Sequence, residues 1–201
     1  MVEQELTHLL QQRLRFSKRT SPAQAAVLIA ITNEHHPKVL LTRRSTQLSN
    51  HAGEVSFPGG KRDAGDTSNI VVALREAHEE TALNPFDVEL IGDLPMQRAR
   101  SGMLVKPIVG LIPPNVALIA QPTEIDRIFF ASLKQLLSAP ATPYEVKYAH
   151  QSLYFPSLQV ENEVIWGLTA RMLISLFHYG LNYQKDWPFL LNSPHFQPRK
   201  F

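Results

Sequence analysis

Apolar and polar residues follow several distinct periods along this chain. Over Glu3–Leu14, Leu6, Leu9, Leu10 and Leu14 recur at helical spacing, which predicts a short amphipathic helix. Ala25–Thr32 is a continuous apolar, partly β-branched run of strand length, and Val39–Thr42 resumes as a second strand after a turn at His36-Pro37. Gly53–Phe57 reads as a strand stopped by Pro58-Gly59-Gly60. Ser68–Leu83 carries the clearest helical period in the chain. Val88–Leu94, Met103–Ile112 and Ile125–Phe130 read as strands, Ser132–Leu137 as a short helix, and Trp166–Tyr179 as a long apolar helix. Strands and helices intermix without strict alternation, so the pattern predicts an α/β protein with a mixed sheet flanked by helices. No internal repeat and no clear linker interrupts it. The reading is one domain over residues 1–201, with an N-terminal helix at about 3–14 and a tail from about 181.

Composition narrows the chemistry. The sequence has no cysteine, which excludes disulfides, thiolate catalysis and cysteine-ligated metals. That absence suits a reducing cytoplasm. A net charge of +2 is too mild to argue for nucleic acid. The apolar runs are too short to span a bilayer, and the N-terminus lacks the apolar core of a signal peptide. The expected partner is a phosphorylated small molecule, with no nucleic acid and no membrane, and the reading admits a homodimer.

The informative segment is Gly59–Leu83. Glu76, Glu79 and Glu80 stand at i, i+3 and i+4, so a helix crowds them on one face. Ile70, Ala73, Leu74 and Ala77 lie on a neighbouring face that can pack on a sheet. Arg75 can pair with Glu79 at i, i+4, which leaves two carboxylates uncompensated. Clustered hard oxygens without sulfur suit magnesium (Mg2+) or manganese (Mn2+). A bare E-x-x-E-E helix is more often only a solvated charged face. Here, however, glycines lead into the helix, so backbone can approach a ligand closely. Asp66, Thr67 or Ser68 can cap its first turn.

This segment resembles the Nudix box, G-x5-E-x7-R-E-U-x-E-E-x-G-U, where U is bulky and aliphatic. Gly60, Arg75, Glu76, Glu79, Glu80 and Leu83 match in type. Asp66 stands at the early acidic position, and eight residues rather than seven separate it from Arg75. Ala77 is smaller than usual. Ala82 replaces the box glycine, which points to Asn84 as the helix stop instead. Upstream, Leu40-Leu41-Thr42-Arg43-Arg44-Ser45 is followed by Leu48, His51, Gly53, Val55 and Phe57-Pro58-Gly59-Gly60. That signature is similar to the extended motif of the coenzyme A diphosphatase branch. Ile165–Ala170 resembles the start of the branch's last helix.

The resemblance implies an α/β/α sandwich and Mg2+ or Mn2+ as cofactor. It implies hydrolysis of coenzyme A or its thioesters to 3′,5′-ADP and a 4′-phosphopantetheine product. Glu76, Glu79 and Glu80 would be the metal ligands, with Arg75 orienting them. One carboxylate, or a glutamate from another loop, would take the proton of the attacking water; Glu124 is the candidate, and a plain loop carboxylate is the equal alternative. Gly59 and Gly60 would approach the substrate. Of Arg43 and Arg44, adjacent on a strand, at most one faces the pocket. Lys61 and Arg62 can steer phosphates or simply be solvated. Arg98, Arg100 and Lys106 surround Ser101-Gly102 and can meet a 3′-phosphate. His78 falls off the glutamate face. Rival readings are a Nudix enzyme for ADP-ribose, a dinucleotide or a nucleoside triphosphate, and a non-catalytic nucleotide sensor.

Overall fold

β1 (Ala25–Thr32) is the strand on which the sheet is organised. In the computed structural model, which describes residues 4–18, 21–148 and 151–187, β1 is contacted along both edges. One edge takes β7 (Leu104–Ile112) in parallel, from Ala25↔Val105 to Thr32↔Ile112. The other edge is shared. β2 (Lys38–Arg44) pairs antiparallel at one end, Ile31↔Val39, and β4 (Gly59–Lys61) at the other, Val27↔Gly59 to Ala25↔Lys61. β2 then splays away, joining β3 (Val55–Ser56) on one side and β8 (Ile125–Ser132) on the other. β5 (Glu89–Asp93) and β6 (Gln97–Arg98) complete the sheet along β7.

Side-chain alternation sorts the core into two layers. Ala26, Leu28, Ala30, Leu40, Ile108 and Ile112 meet Val72, Ala73 and Ala77 of α2 (Asn69–Thr81). Ile29, Ile31, Val39, Leu41, Val109 and Leu111 meet α1 (Gln4–Arg13) and α4 (Gly167–Leu181). The result is the helix–sheet–helix sandwich that the sequence predicts. Val72, absent from the face predicted for α2, is fully buried.

Three differences from the sequence pattern matter. Pro58 does end a strand, but Gly59-Gly60 open the next one rather than a free loop. Of Gly53–Phe57, only Val55 and Ser56 are paired as strand. After α3 (Leu133–Ser138), the pattern announces no strand, yet β9 (Thr142–Tyr148), β10 (Gln151–Val160) and β11 (Glu163–Trp166) form a second, antiparallel sheet. Its Leu158, Val160 and Ile165 join the α4 layer, and Thr169 Oγ1 of α4 donates to Val55 O at 2.9 Å. Among the described residues, no helix is long and apolar enough to cross a membrane. Residues 188–201 of the expected tail lie outside the described residues.

Candidate active site

Local chemistry sets both ends of α2. Ser68 caps it, its side chain accepting from Val71 N at 3.1 Å. At the far end Ala82 itself takes the left-handed conformation, φ 56°, and its N–H returns to His78 O. The expectation that Asn84 replaces the box glycine is therefore corrected. Asn84 instead opens the following 3-10 turn, accepting from Phe86 N at 3.1 Å. The carbonyls that end α2 are met from outside the helix. Ile119 N donates to Thr81 O, and Gln121 N to Glu80 O, both at 2.9 Å. That loop carries Glu124, whose own carbonyl accepts from Ser45 N at 2.7 Å, beside Arg44.

The carboxylates meet the glycine strand at this end of the sheet. Gly59 N donates to Glu80 Oε2 at 3.0 Å. Gly59 has φ 156°, and a Cβ there would stand 2.5 Å from Ala26 O and Val27 Cα. A Cβ on Gly60 would collide with the Glu76 carboxyl, 2.5 Å from its Cδ. Close approach to the β1 backbone thus requires Gly59, while a side chain at Gly60 would displace the Glu76 carboxyl. Arg44 Nη1 lies 3.8 Å from Glu80 Oε1. Glu80 is only 3% exposed, and burial pushes its carboxyl up to about 7 despite the Gly59 hydrogen bond and the Arg44 charge. Burial also raises Glu76, against the pull of Arg75. The charge of Glu124 raises both. The structure therefore brings Glu76, Glu80 and the sequence-distant Glu124 into one field.

Arg75 stands at the hub beside them. Its Nε and Nη2 grip Asp66 at 3.2 and 2.9 Å, and Nη2 also donates to Lys61 O at 3.0 Å. Nη2 lies 3.1 Å from Glu76 Oε1, and Nη1 lies 2.8 Å from Glu79 Oε2. The Arg75–Glu79 pair is the one the i, i+4 spacing predicts. It holds Glu79 on the exposed side, apart from the buried Glu80. Asp66, one carbon shorter than glutamate and one residue further from Arg75 than in the usual box, still reaches it. The guanidinium holds the Asp66 carboxyl below its ordinary range.

The arginines of β2 divide as strand alternation requires. Arg44 faces Glu80, while Arg43 turns to the other layer and meets Glu163 at 3.3 Å. Lys61 is exposed beside the glycines. Arg62 is not a phosphate-steering cation. It is a clamp, donating to Ala23 O, Asp66 O and Asn69 Oδ1. Lys106 is likewise withdrawn from the turn where the sequence places it. It is 3% exposed, 2.7 Å from Asp93 Oδ1, and donates to Leu94 O. Arg98 and Arg100 are exposed at that turn, and Arg98 Nη1 folds back onto Gly102 O at 2.8 Å. His51 pairs with Glu54. His78 is exposed and contacts Leu83 O, off the carboxylate cluster. Asp66 as partner of Arg75 and Glu163 as partner of Arg43 were not foreseen. The first had a signal in its box position; the second had none.

The donor set fits a divalent cation of the magnesium type. Its atoms are carboxylate oxygens, and the charges of Glu76 and Glu124 both act on the buried Glu80 carboxyl. Among the described residues no three such groups already close into a cage. An octahedral ion that keeps several waters and takes one or two carboxylates plus substrate phosphate does not need one.

A family model described as the NUDIX domain matches residues 22–152. The chain is 40% identical over 166 residues to an uncharacterized Nudix hydrolase, NudL, of Salmonella dublin, covering 79% of this chain and 83% of that one. It is 41% identical over 153 residues to NudL of Photorhabdus laumondii, covering 76% and 82%. A MutT/nudix family protein from Enterococcus faecalis shares the fold, with TM-score 0.51, 15% identity, and coverage of 88% of this chain and 70% of that one. The family model and these relatives identify a Nudix hydrolase of nucleoside diphosphate derivatives. The chain belongs to the Nudix hydrolase family, whose members generally use divalent metal ions.

Proposed function

We propose that the substrate is coenzyme A or one of its thioesters, cut at the diphosphate to 3′,5′-ADP and 4′-phosphopantetheine or its acyl derivative. The observation that carries this reading is the signature from Leu40 to Gly60. It is not a scattered match. It folds into β2, β3 and β4, and these deliver Arg44, Gly59 and Gly60 to Glu80 and Glu76.

In this reading Glu76 and Glu80 would hold magnesium or manganese, with Glu79 as a third ligand once it leaves Arg75. When bound, such an ion would neutralise diphosphate oxygens and make the attacking water more acidic. Arg75 positions the glutamates through Asp66, Glu76 and Glu79 and does not touch substrate. Gly59 N–H fixes the Glu80 carboxylate. Arg44, 3.8 Å from Glu80, would donate to one phosphate oxygen. Glu124, exposed on the loop that caps α2, would accept the proton of the attacking water.

The test is product identity. Protein with coenzyme A and magnesium should release 3′,5′-ADP, resolved by chromatography, faster than it hydrolyses ADP-ribose. A preference for ADP-ribose, a dinucleotide or a nucleoside triphosphate would replace coenzyme A as the substrate. Absence of turnover on the whole panel, with nucleotide still bound, would make the protein a sensor.

A further inference from the structure

Arg43 and Arg127 are directly opposed across β2 and β8. Like charges facing each other in this way destabilise a sheet. Both guanidiniums converge on one oxygen, Glu163 Oε1, at 3.3 and 2.9 Å. Glu163 is buried and comes from β11 of the second sheet, while the arginines are 38% and 40% exposed. Arg127 lies over the Phe129 ring, 5.0 Å from its centroid, which fixes the plane of its fork. Two cations share one anion, so the cluster keeps a net positive charge. Arg43 Nε is buried with no hydrogen-bond partner. A sheet-to-sheet staple needs one arginine; Arg127 Nη1 also reaches Glu161 O at 3.4 Å, and the exposed remainder of the two forks can meet a further anion.

We propose that Arg43 and Arg127, steadied by Glu163, form a subsite for a phosphate monoester carried by the substrate. Resting on the coenzyme A reading, that group is the 3′-phosphate. The placement fits. Arg43 and Arg44 are adjacent, about 3.8 Å apart in the backbone. Arg44 faces the carboxylates and Arg43 faces away, so the subsite lies around the end of β2 from the point of cleavage. The turn at Ser101-Gly102 is the weaker candidate. Lys106 is consumed by Asp93, and Arg98 is folded onto its own turn.

The experiment measures binding of 3′,5′-ADP and of 5′-AMP by calorimetry in magnesium buffer, using wild type, Arg127→Gln, Arg127→Lys, Arg43→Gln and Arg98→Ala. Wild type should favour 3′,5′-ADP by at least about tenfold, as charge-assisted contacts do. Arg127→Gln should reduce that ratio to within about twofold. Arg43→Gln should do the same and gives an independent answer if Arg127→Gln folds poorly. Arg127→Lys, which keeps the charge but not the fork, should retain more of the ratio than Arg127→Gln. An unchanged ratio in both glutamine variants, or a ratio lost in Arg98→Ala alone, overturns the subsite. Turnover of coenzyme A is measured in parallel. Turnover with no change of ratio rejects the subsite and keeps the substrate. A ratio that depends on Arg127, without coenzyme A turnover, keeps the subsite and rejects the substrate.

Discussion

Arg75 grips Asp66 through two hydrogen bonds, Nε to Oδ1 at 3.2 Å and Nη2 to Oδ2 at 2.9 Å. The same guanidinium touches Glu76 and Glu79, so Asp66, in the loop before α2, sets the position of both carboxylates through Arg75. Asp66→Asn should lower kcat or metal affinity about ten- to a hundredfold, the usual effect of removing an outer partner of a metal ligand. Circular dichroism should be unchanged. The sign of the pH effect follows from the lowered Asp66 carboxyl. Its contribution to stability is complete above the unfolded aspartate range and disappears as pH falls through the lower folded value. Urea titrations of the two proteins should therefore differ at neutral pH and converge in strong acid.

The carboxylates of α2 should separate by position. Glu76→Gln and Glu80→Gln are each expected to reduce kcat at least about a hundredfold. Glu79, exposed and paired with Arg75, should matter less than Glu80, and His78→Ala should matter little. Steady-state rates in magnesium decide this. Near-normal rates in the first two variants would reduce the acidic face to a charged surface.

Burial of Glu80 makes the metal-free protein sensitive to pH. Its carboxyl is raised to about 7, so between the unfolded range and that value the folded state binds more protons than the unfolded chain. Stability must then fall as pH rises through this window. Thermal melts in chelator from pH 5 to 8 should show the decline, and Glu80→Gln should flatten it. Magnesium or manganese should restore stability at the alkaline end, because a ligand of the folded state stabilises it by mass action. The same chelator should abolish turnover.

Ala82 ends α2 at φ 56°, a conformation that costs an L-residue with a side chain about 1–2 kcal/mol. Ala82→Gly should recover roughly 1 kcal/mol after the added entropy of glycine in the unfolded chain. In a chain of this size that raises Tm by about 2–4 °C. Calorimetry measures it, and no gain would mean that the turn is held without strain.

What could be read in the sequence was what is local. The α2 period, its Arg75–Glu79 pair and the glutamates needed only spacing along one helix. The left-handed Ala82 did not follow, because an alanine gives no signal for that conformation. The β9–β10 hairpin was hidden for another reason. Pro143 and Pro156 interrupt its strands, and apolar residues stand on both faces of β10, with Phe155 and Trp166 in ring contact on one and Leu158 buried on the other. Alternation is then lost from the pattern. Glu163 owes its burial to arginines 120 and 36 positions away, which no window along the chain can join. Arg62 and Lys106 were misplaced likewise, because their partners Ala23, Asn69 and Asp93 come from other elements.

The parallel pairing of β1 with β7 has a kinetic cost. β1 is made early, but the strand that covers one of its edges follows only after α2 and β6. A nascent chain ending before Leu104 therefore carries an apolar strand with that edge open, a template for pairing with other chains. Non-local parallel pairing is also slow to form, since the intervening chain must close before any contact rewards it. The interval between synthesis of β1 and arrival of β7 therefore leaves that edge available to other chains.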